Sequence, residues 1–542
     1  MNELSPNPLT PVGAADWWRG AVIYQIYPRS FADSNADGIG DLPGITAKLD
    51  HVAGLGVDAI WVSPVYTSPM RDFGYDISDF CDIDPIYGRL ADFDMLVARA
   101  HELGLKVMID QVWSHTSDQH PWFAESRADR SNQRADWYVW EDPKPDGSPP
   151  SNWQSVFGGP AWTWDGRRGQ YYLHNFLKEQ PDLNHHNAAV QDAILEVARF
   201  WFDRGVDGFR IDALNYAMHD PKLTDNPPLP DNGRARTRPY DFQLKKFNQG
   251  HADLPKFIER VQALADEYDV FTLAEVGGDE ADVQKKLFTA GDARLDSAYG
   301  FEFLYADKLT PEIVCNALSE WTGEADEGWP SWAFENHDAP RAVSRWADEA
   351  NRIPFARMKM MLLMALRGNA ILFQGEELGL TQVDIPFEKL QDPEAIANWP
   401  RTLSRDGVRT PMPWSARLNG MGFSTVEPWL PTGPDHAAMA VDIQADDEAS
   451  LLNWTRQMIA LRKREPALRH GGLSNCEGGT QLLSFERGIG GDRLFCVFNL
   501  SPESAACSPP NHAGTIISCN DARDGELGPY AALILRLTGD TA

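Results

Sequence analysis

Short apolar runs rich in β-branched and aromatic residues recur along the chain, and stretches of helical periodicity separate them. The runs lie at residues 21–28, 57–64, 105–112, 206–212, 271–277, 296–303, 331–338 and 369–377. Each is bounded by Gly, Pro or Asp, which argues for parallel strands joined by crossover helices. Amphipathic stretches at 92–103 and 191–204 fit two of those helices. Eight such strands predict a closed (β/α)8 barrel, with a doubly wound open sheet as the alternative. The segment Trp17-Trp18-Arg19, just before the first run, reads as packing.

Two spacings break the rhythm. About ninety residues separate the third and fourth runs, and 114–186, rich in Trp, Pro and Asn, is too long for a strand–helix loop. It reads as a small inserted domain. The stretch 216–267, with Asn226, Pro227, Pro228 and Pro230, reads as a subdomain capping the same barrel face. The barrel therefore takes 1–113 and 187–466. Beyond that, alternating runs at 481–486, 493–499 and 531–537 place an antiparallel β-sandwich over 467–542.

Composition narrows the partners. The 542 residues, 43% hydrophobic and 24% charged, are ordinary for a folded soluble protein of two or three domains. A net charge of -30 repels phosphate backbones and anionic membrane surfaces, so a neutral small molecule is the expected ligand, without nucleic acid or membrane. No apolar stretch is long enough to span a bilayer, and Met-Asn-Glu-Leu-Ser-Pro-Asn-Pro lacks the features of a signal peptide, so a cytoplasmic protein is expected. The six cysteines form no C-x-x-C pair and are expected to be buried thiols, with one bridge after residue 470 as the alternative. Nineteen Trp residues suit stacking on sugar rings, but they suit core packing equally well. Whether the chain is a monomer or a dimer is not written in it.

In such a barrel, side chains at the C-terminal strand ends face the active site. Acids and cations gather there: Asp110 with His115 after it, Arg210 and Asp212 two apart on one face, Glu275, and His337 with Asp338. Four strands ending this way are more than a set of solvated caps. Arg210 should hold Asp212 ionised, while apolar neighbours and nearby carboxylates should raise Glu275. One carboxyl held ionised for attack beside one held protonated for donation suits nucleophilic and general-acid work.

The motifs Asp110-Gln-Val-Trp-Ser-His115, Gly208-Phe-Arg-Ile-Asp-Ala213, Ala274-Glu-Val-Gly277, Glu335-Asn-His-Asp338 and Gln180-Pro-Asp-Leu-Asn184 together resemble glycoside hydrolase family 13, the α-amylase family, and within it the α-glucosidase and oligo-1,6-glucosidase group. The resemblance implies Asp212 as nucleophile, Glu275 as general acid/base and Asp338 as the group that grips the 2- and 3-hydroxyls. It implies that Asp76 and Arg409 clamp the 4-hydroxyl of a terminal glucose, making the enzyme exo-acting. Tyr75 would stack on the sugar, His115, Arg210 and His337 would complete the site, and Phe157 and Phe176 would wall its entrance. Val after the nucleophile accompanies α-1,6 cleavage in this family, so Ala213 points to short α-1,4 substrates such as maltose. The loop 380–430 would shape the leaving-group side. Transfer to alcohols, and the sucrose isomerases and trehalose synthases that share the three acids, are the alternatives. A non-catalytic sugar-binding barrel is disfavoured because Asp212, Glu275, Asp338 and Arg210 are all present.

A second constellation lies in the first loop. Asp33, Asn35, Asp37, the Ile39 carbonyl and Asp41 place oxygens at alternating positions, with Gly38 at the turn, as at the start of a calcium-type loop. Position twelve is Gly44, which excludes an EF-hand. Similar loops in the family hold a structural Ca2+ or Mg2+, and the reaction itself needs no cofactor. A turn of self-capping Asp and Asn residues is the competing reading.

Overall fold

A computed structural model describes residues 17–538, apart from 232–235, 320, 322–326, 402–403 and 524. The N-terminal stretch read for a signal peptide lies outside the described residues. All eight runs form strands: β1 (Val22–Ile26), β2 (Ala59–Val62), β3 (Lys106–Val112), β4 (Gly208–Asp212), β5 (Phe271–Glu275), β6 (Ser297–Tyr299), β7 (Ser331–Ala333) and β8 (Asn369–Phe373). They pair in the order β6-β5-β4-β3-β2-β1-β8-β7. A parallel bridge from Ala298 to Pro330 brings the two ends together, so the sheet closes into a TIM barrel. Apart from Lys106, every residue of these strands is buried. Helices cover the outside and side chains fill the inside, which is why the runs are continuous rather than alternating.

The helices Leu90–Glu102 and Ala188–Phe202 fall where periodicity placed them, and the Asn187 side chain caps the second by accepting from Ala189 N–H. Trp18 is buried and stacks on Phe271, with ring centroids 5.2 Å apart, so the segment before β1 does pack. Between β3 and β4 lies a three-stranded antiparallel sheet (Trp140–Glu141, Gln170–Leu173, Trp162–Asp165) over its own cluster of Val139, Trp153, Ala161, Trp162 and Leu173. The segment read as a cap ends in the helix Leu254–Tyr268. That helix buries Phe257, Ile258, Val261 and Leu264 and belongs to the barrel.

The C-terminal part is an antiparallel sheet of five strands, in the order Gly472–Gly478, Leu482–Ile489, Asp492–Asn499, Ala532–Leu537, His512–Cys519, beside a smaller three-stranded one. A disulfide and a buried arginine are among its ties to the barrel. Cys315, in the helix Pro311–Ser319, is disulfide-bonded to Cys476 on the first of those strands, which corrects the expectation of thiols alone. Their Cα atoms are 5.8 Å apart, a separation that a disulfide spans, although 161 residues of chain lie between them. Arg487, fully buried, donates to the carbonyls of Ala365 (2.5 Å) and Gly471 (2.8 Å). Among the described residues no helix is long and apolar enough to cross a membrane.

Candidate active site

The register of β3, β4 and β5 assembles the centre. Asp110 pairs with Arg210 and Val112 with Asp212 across β3 and β4, while Glu275 on β5 pairs with Tyr299 on β6. The Arg210 guanidinium, fully buried, donates to Asp110 Oδ1 (2.6 Å) and Asp212 Oδ1 (2.5 Å) and also forms an ion pair with Glu275. Tyr299 Oη donates to Glu275 Oε2 at 2.6 Å. Asp212 and Glu275 keep 8% and 7% of their surface, enough to meet a small ligand while shielded from bulk water.

Charge is graded across the site. Burial pushes the Asp212 carboxyl above its ordinary value and outweighs the opposing pull of Arg210, so the cation tempers the shift rather than reversing it. Asp110 rises to about 6 for the same reason, against Arg210 and with Asp212 adding to the rise. Asp338 goes the other way. Burial opposes its ionisation, yet the His337 ring, Arg409 and Arg405 together hold it well below the usual carboxylate range. Arg409 Nη2 donates to Asp338 Oδ1 at 2.7 Å, and Arg409 Nε donates to the His337 carbonyl at 2.7 Å.

Burial drives His337 down to about 3 and His115 to about 4, so both rings are neutral at pH 7. His115 Nε2 lies 3.0 Å from the Tyr75 carbonyl, which can only accept, so Nε2 carries the hydrogen and Nδ1 accepts from Ser114 Oγ (2.9 Å). Tyr75 Oη sits 2.7 Å from His337 Nε2 and 3.2 Å from Asp110 Oδ2, with its ring parallel to that of His337 at 5.3 Å. Phe176, half-buried, packs on His115 (5.0 Å) and lies 6.1 Å from the buried Phe157.

One sequence assignment is corrected. Asp76 is fully buried and turned away from the site. Its Oδ1 accepts from Ser68 Oγ and Asp72 N–H, and its Oδ2 from Arg71 N–H, all at 2.8–2.9 Å, so it holds the 68–72 turn together. The ion pair that faces the centre is Asp72–Arg405, at 2.9 Å. Arg405 also reaches Asp392 (2.8 Å) and Asp338 (3.5 Å), and Gln180 Nε2 reaches Asp72 Oδ2 at 3.2 Å. Arg409 reaches Asp338 and the backbone of His337 and lies over the Tyr27 ring at 5.2 Å. Asp72 and Arg405 stand four residues from the acid and the base singled out in the sequence. Tyr299 and Gln180 are further residues whose reach into the site the sequence did not disclose.

The first loop folds by capping its own backbone. Asp33 Oδ1 accepts from Asn35 and Ala36 N–H and Oδ2 from Gly38 N–H, Asn35 from Asp37, and Asp37 from Ile39. Asp41 accepts from Ser34 and Gly44. Among the described residues no group of three or more His, Cys, Asp or Glu side chains is placed to hold a metal ion. The donor set is nevertheless entirely oxygen, with one amide and one backbone carbonyl beside the three acids, and in kind it fits a hard divalent cation.

The catalytic-domain model of alpha-amylase matches residues 25–471. The chain is 51% identical over 518 residues to a probable alpha-glucosidase of Rhizobium meliloti (strain 1021), covering 94% of both. It is 36% identical to an oligo-1,6-glucosidase of Parageobacillus thermoglucosidasius, covering 92% of both. Among solved structures it is similar to an alpha-glucosyl transfer enzyme, XgtA (TM-score 0.92, 48% identity, 96% of this chain and 99% of that one). It is also similar to the trehalulose synthase MutB of Pseudomonas mesoacidophila MX-45 (TM-score 0.87, 32% identity, 97% and 100%). With the acids on the ends of a TIM barrel and these relatives spanning nearly its whole length, the chain belongs to the α-amylase family of glycoside hydrolases, family 13, as a glucosidase of that family.

Proposed function

We propose that the protein is an exo-acting, retaining α-glucosidase that removes the non-reducing terminal glucose of short, maltose-like α-1,4 substrates. The observation that carries this reading is the sharing of one guanidinium, that of Arg210, by Asp212 and Glu275. Two carboxylates on one guanidinium stand on the order of 5 Å apart, the separation of a retaining pair rather than of one with a water between them.

Asp212 attacks the anomeric carbon as the bond to the leaving oxygen breaks, and Glu275 gives its proton to that oxygen. Water then attacks the glucosyl–Asp212 ester and loses a proton to Glu275, which returns both groups to their starting forms. The Tyr299 hydroxyl, 2.6 Å from Glu275, fixes the acid's orientation. Asp338, held ionised by its cations, grips the neighbouring hydroxyls of the sugar as charge develops on the ring. Asp72 and Arg405, in place of Asp76 and Arg409, take the 4-hydroxyl and close the pocket behind it. An alcohol in the position of water would give transfer in place of hydrolysis by the same steps. The similarity to a glucosyl transfer enzyme favours that as a second outcome.

Linkage rests on Ala213, which sits at φ 41° and ψ 42°, in the left-handed region beside the nucleophile. The test is proton NMR of the sugars released from maltose and isomaltose, followed from the first minute. α-Glucose appearing first from maltose, with isomaltose nearly untouched, is the expected result. β-Glucose first would overturn retention, and fast isomaltose cleavage would overturn the linkage preference.

Asp33, Asn35, Asp37, the Ile39 carbonyl and Asp41 would hold a structural Ca2+ or Mg2+, which would fix the loop and take no part in the reaction. Thermal melting of the protein stripped with EDTA and then titrated with Ca2+ or Mg2+ is expected to show a saturable rise in Tm. An unchanged Tm with both ions would leave the loop as a self-capped turn.

A further inference from the structure

Asp392 takes no part in the chemistry above, yet it is completely buried beside the site. It lies in the segment after β8, at the N-cap of the short helix Pro393–Asn398, where its Oδ1 accepts from Glu394 N–H at 3.1 Å. A cap needs one such bond, and any short polar side chain supplies it. Asp392 makes three more, all to one residue. Its Oδ1 accepts from Arg405 Nε (3.1 Å) and Nη2 (2.8 Å), and its Oδ2 from the Arg405 backbone N–H (2.8 Å). The hold is returned. Asp406, next to Arg405 and also fully buried, accepts from Gln391 N–H (2.6 Å) and Asp392 N–H (3.0 Å). Burial opposes ionisation of Asp392, but the Arg405 guanidinium keeps its carboxyl below the ordinary value.

These bonds fix more than a turn. A guanidinium is flat and carries its N–H groups in a rigid fork. Asp392 occupies the Nε–Nη2 edge, Asp72 takes Nη2 from a second direction at 2.9 Å, and the Phe157 ring lies 5.2 Å away. Among the described residues Nη1 has only a long contact, to Asp338 Oδ1 at 3.5 Å. The terminus with hydrogen-bonding capacity to spare is thus the one turned toward the carboxylate that grips the sugar. Asp72 is aimed by its own short turn, through Asp76. Arg405 has a long side chain with many rotatable bonds, and unsupported it would lose that freedom each time a sugar bound.

We propose that Asp392 is a positioning residue that presets Arg405 for the 4-hydroxyl of the terminal glucose, so that selection for this hydroxyl depends on a carboxylate that never touches the sugar. The inference rests on the reading that Asp72 and Arg405 form the clamp, and adds to it the group that aims the cation. Without Asp392 the guanidinium keeps its charge and its tether to Asp72, but its Nε edge is free to turn and Nη1 loses its direction. The loss falls on substrates that carry the 4-hydroxyl. A residue that merely held the loop would affect substrates with and without it alike.

The test measures kcat/KM of the parent protein, Asp392→Asn and Asp392→Ser on p-nitrophenyl α-glucoside and on its 4-deoxy analogue. Asparagine keeps the shape and the cap acceptor but removes the charge. Serine keeps the cap alone, which preserves the helix start even where the asparagine amide clashes with Arg405. The parent's preference for the substrate with the 4-hydroxyl is expected to fall by at least about tenfold in both variants, through loss on the glucoside. Equal losses on the two substrates, or an unchanged preference, would overturn the proposal. A parent protein that treats the glucoside and its analogue alike has no 4-hydroxyl clamp at Asp72 and Arg405, and the proposal falls with that reading. Absence of turnover of either substrate by the parent would instead overturn the glucosidase reading beneath both.

Discussion

Asp212→Ala is expected to lower kcat on maltose by at least ~10⁴-fold while the fold and sugar binding persist, because the covalent step loses its nucleophile. Asp212 sits at the end of β4 with one oxygen on Arg210, and no other carboxylate in the site comes from that strand. Added azide should restore part of the turnover of an aryl α-glucoside. The small anion enters from the face the carboxylate has vacated, so the product is the β-glucosyl azide, and NMR of its anomeric proton reads the configuration. An α-glucosyl azide would mean that the vacated face belongs to the acid/base, and the roles of Asp212 and Glu275 would exchange. Retained hydrolysis without azide would remove Asp212 from the chemistry altogether.

Arg210→Met is expected to have the second largest effect, on stability and on pH dependence together. The guanidinium neutralises three carboxyls, on Asp110, Asp212 and Glu275. Removing the cation from a buried network leaves charge uncompensated, at a cost of roughly 3–5 kcal/mol, read as a lower urea midpoint. Asp212 and Asp110 already lie above their ordinary values because burial outweighs Arg210, so its loss moves both further up. The nucleophile works ionised, so activity falls as pH drops through its pKa. The acid limb of kcat/KM in the variant therefore moves to higher pH, and the loss is greater at pH 6 than at pH 8. An acid limb left in place would show that the limb belongs to another group.

The eight strands were legible because a strand buried on both faces leaves an uninterrupted apolar run, and the acids were legible because the fold aims strand ends at one point. The clamp was not. Asp72 and Asp76 share a five-residue segment, and only the turn itself decides which carboxylate faces inward. In the folded chain Asp76 is spent on the N–H groups of Arg71 and Asp72 and on Ser68, which leaves Asp72 to meet Arg405 from a distant part of the chain. Arg405 and Arg409 pose the same ambiguity, because four residues of irregular turn carry no periodicity from which direction could be inferred. The Cys315–Cys476 pairing was hidden for a related reason: spacing says nothing about which surface of the barrel the C-terminal sheet will meet. The capping segment was read as too long because its last part, Leu254–Tyr268, carries its apolar face in the service of the barrel.

The seating of Arg487 bears on how far the molecule can be divided. Its guanidinium comes from the C-terminal sheet but ends on the carbonyl of Ala365, at the close of the helix Arg352–Ala365 that precedes β8. A barrel helix thus borrows its terminal partner from another part of the chain, and Arg462 serves the carbonyls of Met364, Leu366 and Gly368 next to it. Trimming the chain after the last barrel helix would strip a buried carbonyl of its donor beneath the strand that closes the cylinder. The C-terminal sheet is therefore less an appendage than the missing end of the barrel, and grafting one relative's sheet onto another's barrel requires carrying this arginine and its acceptors across together.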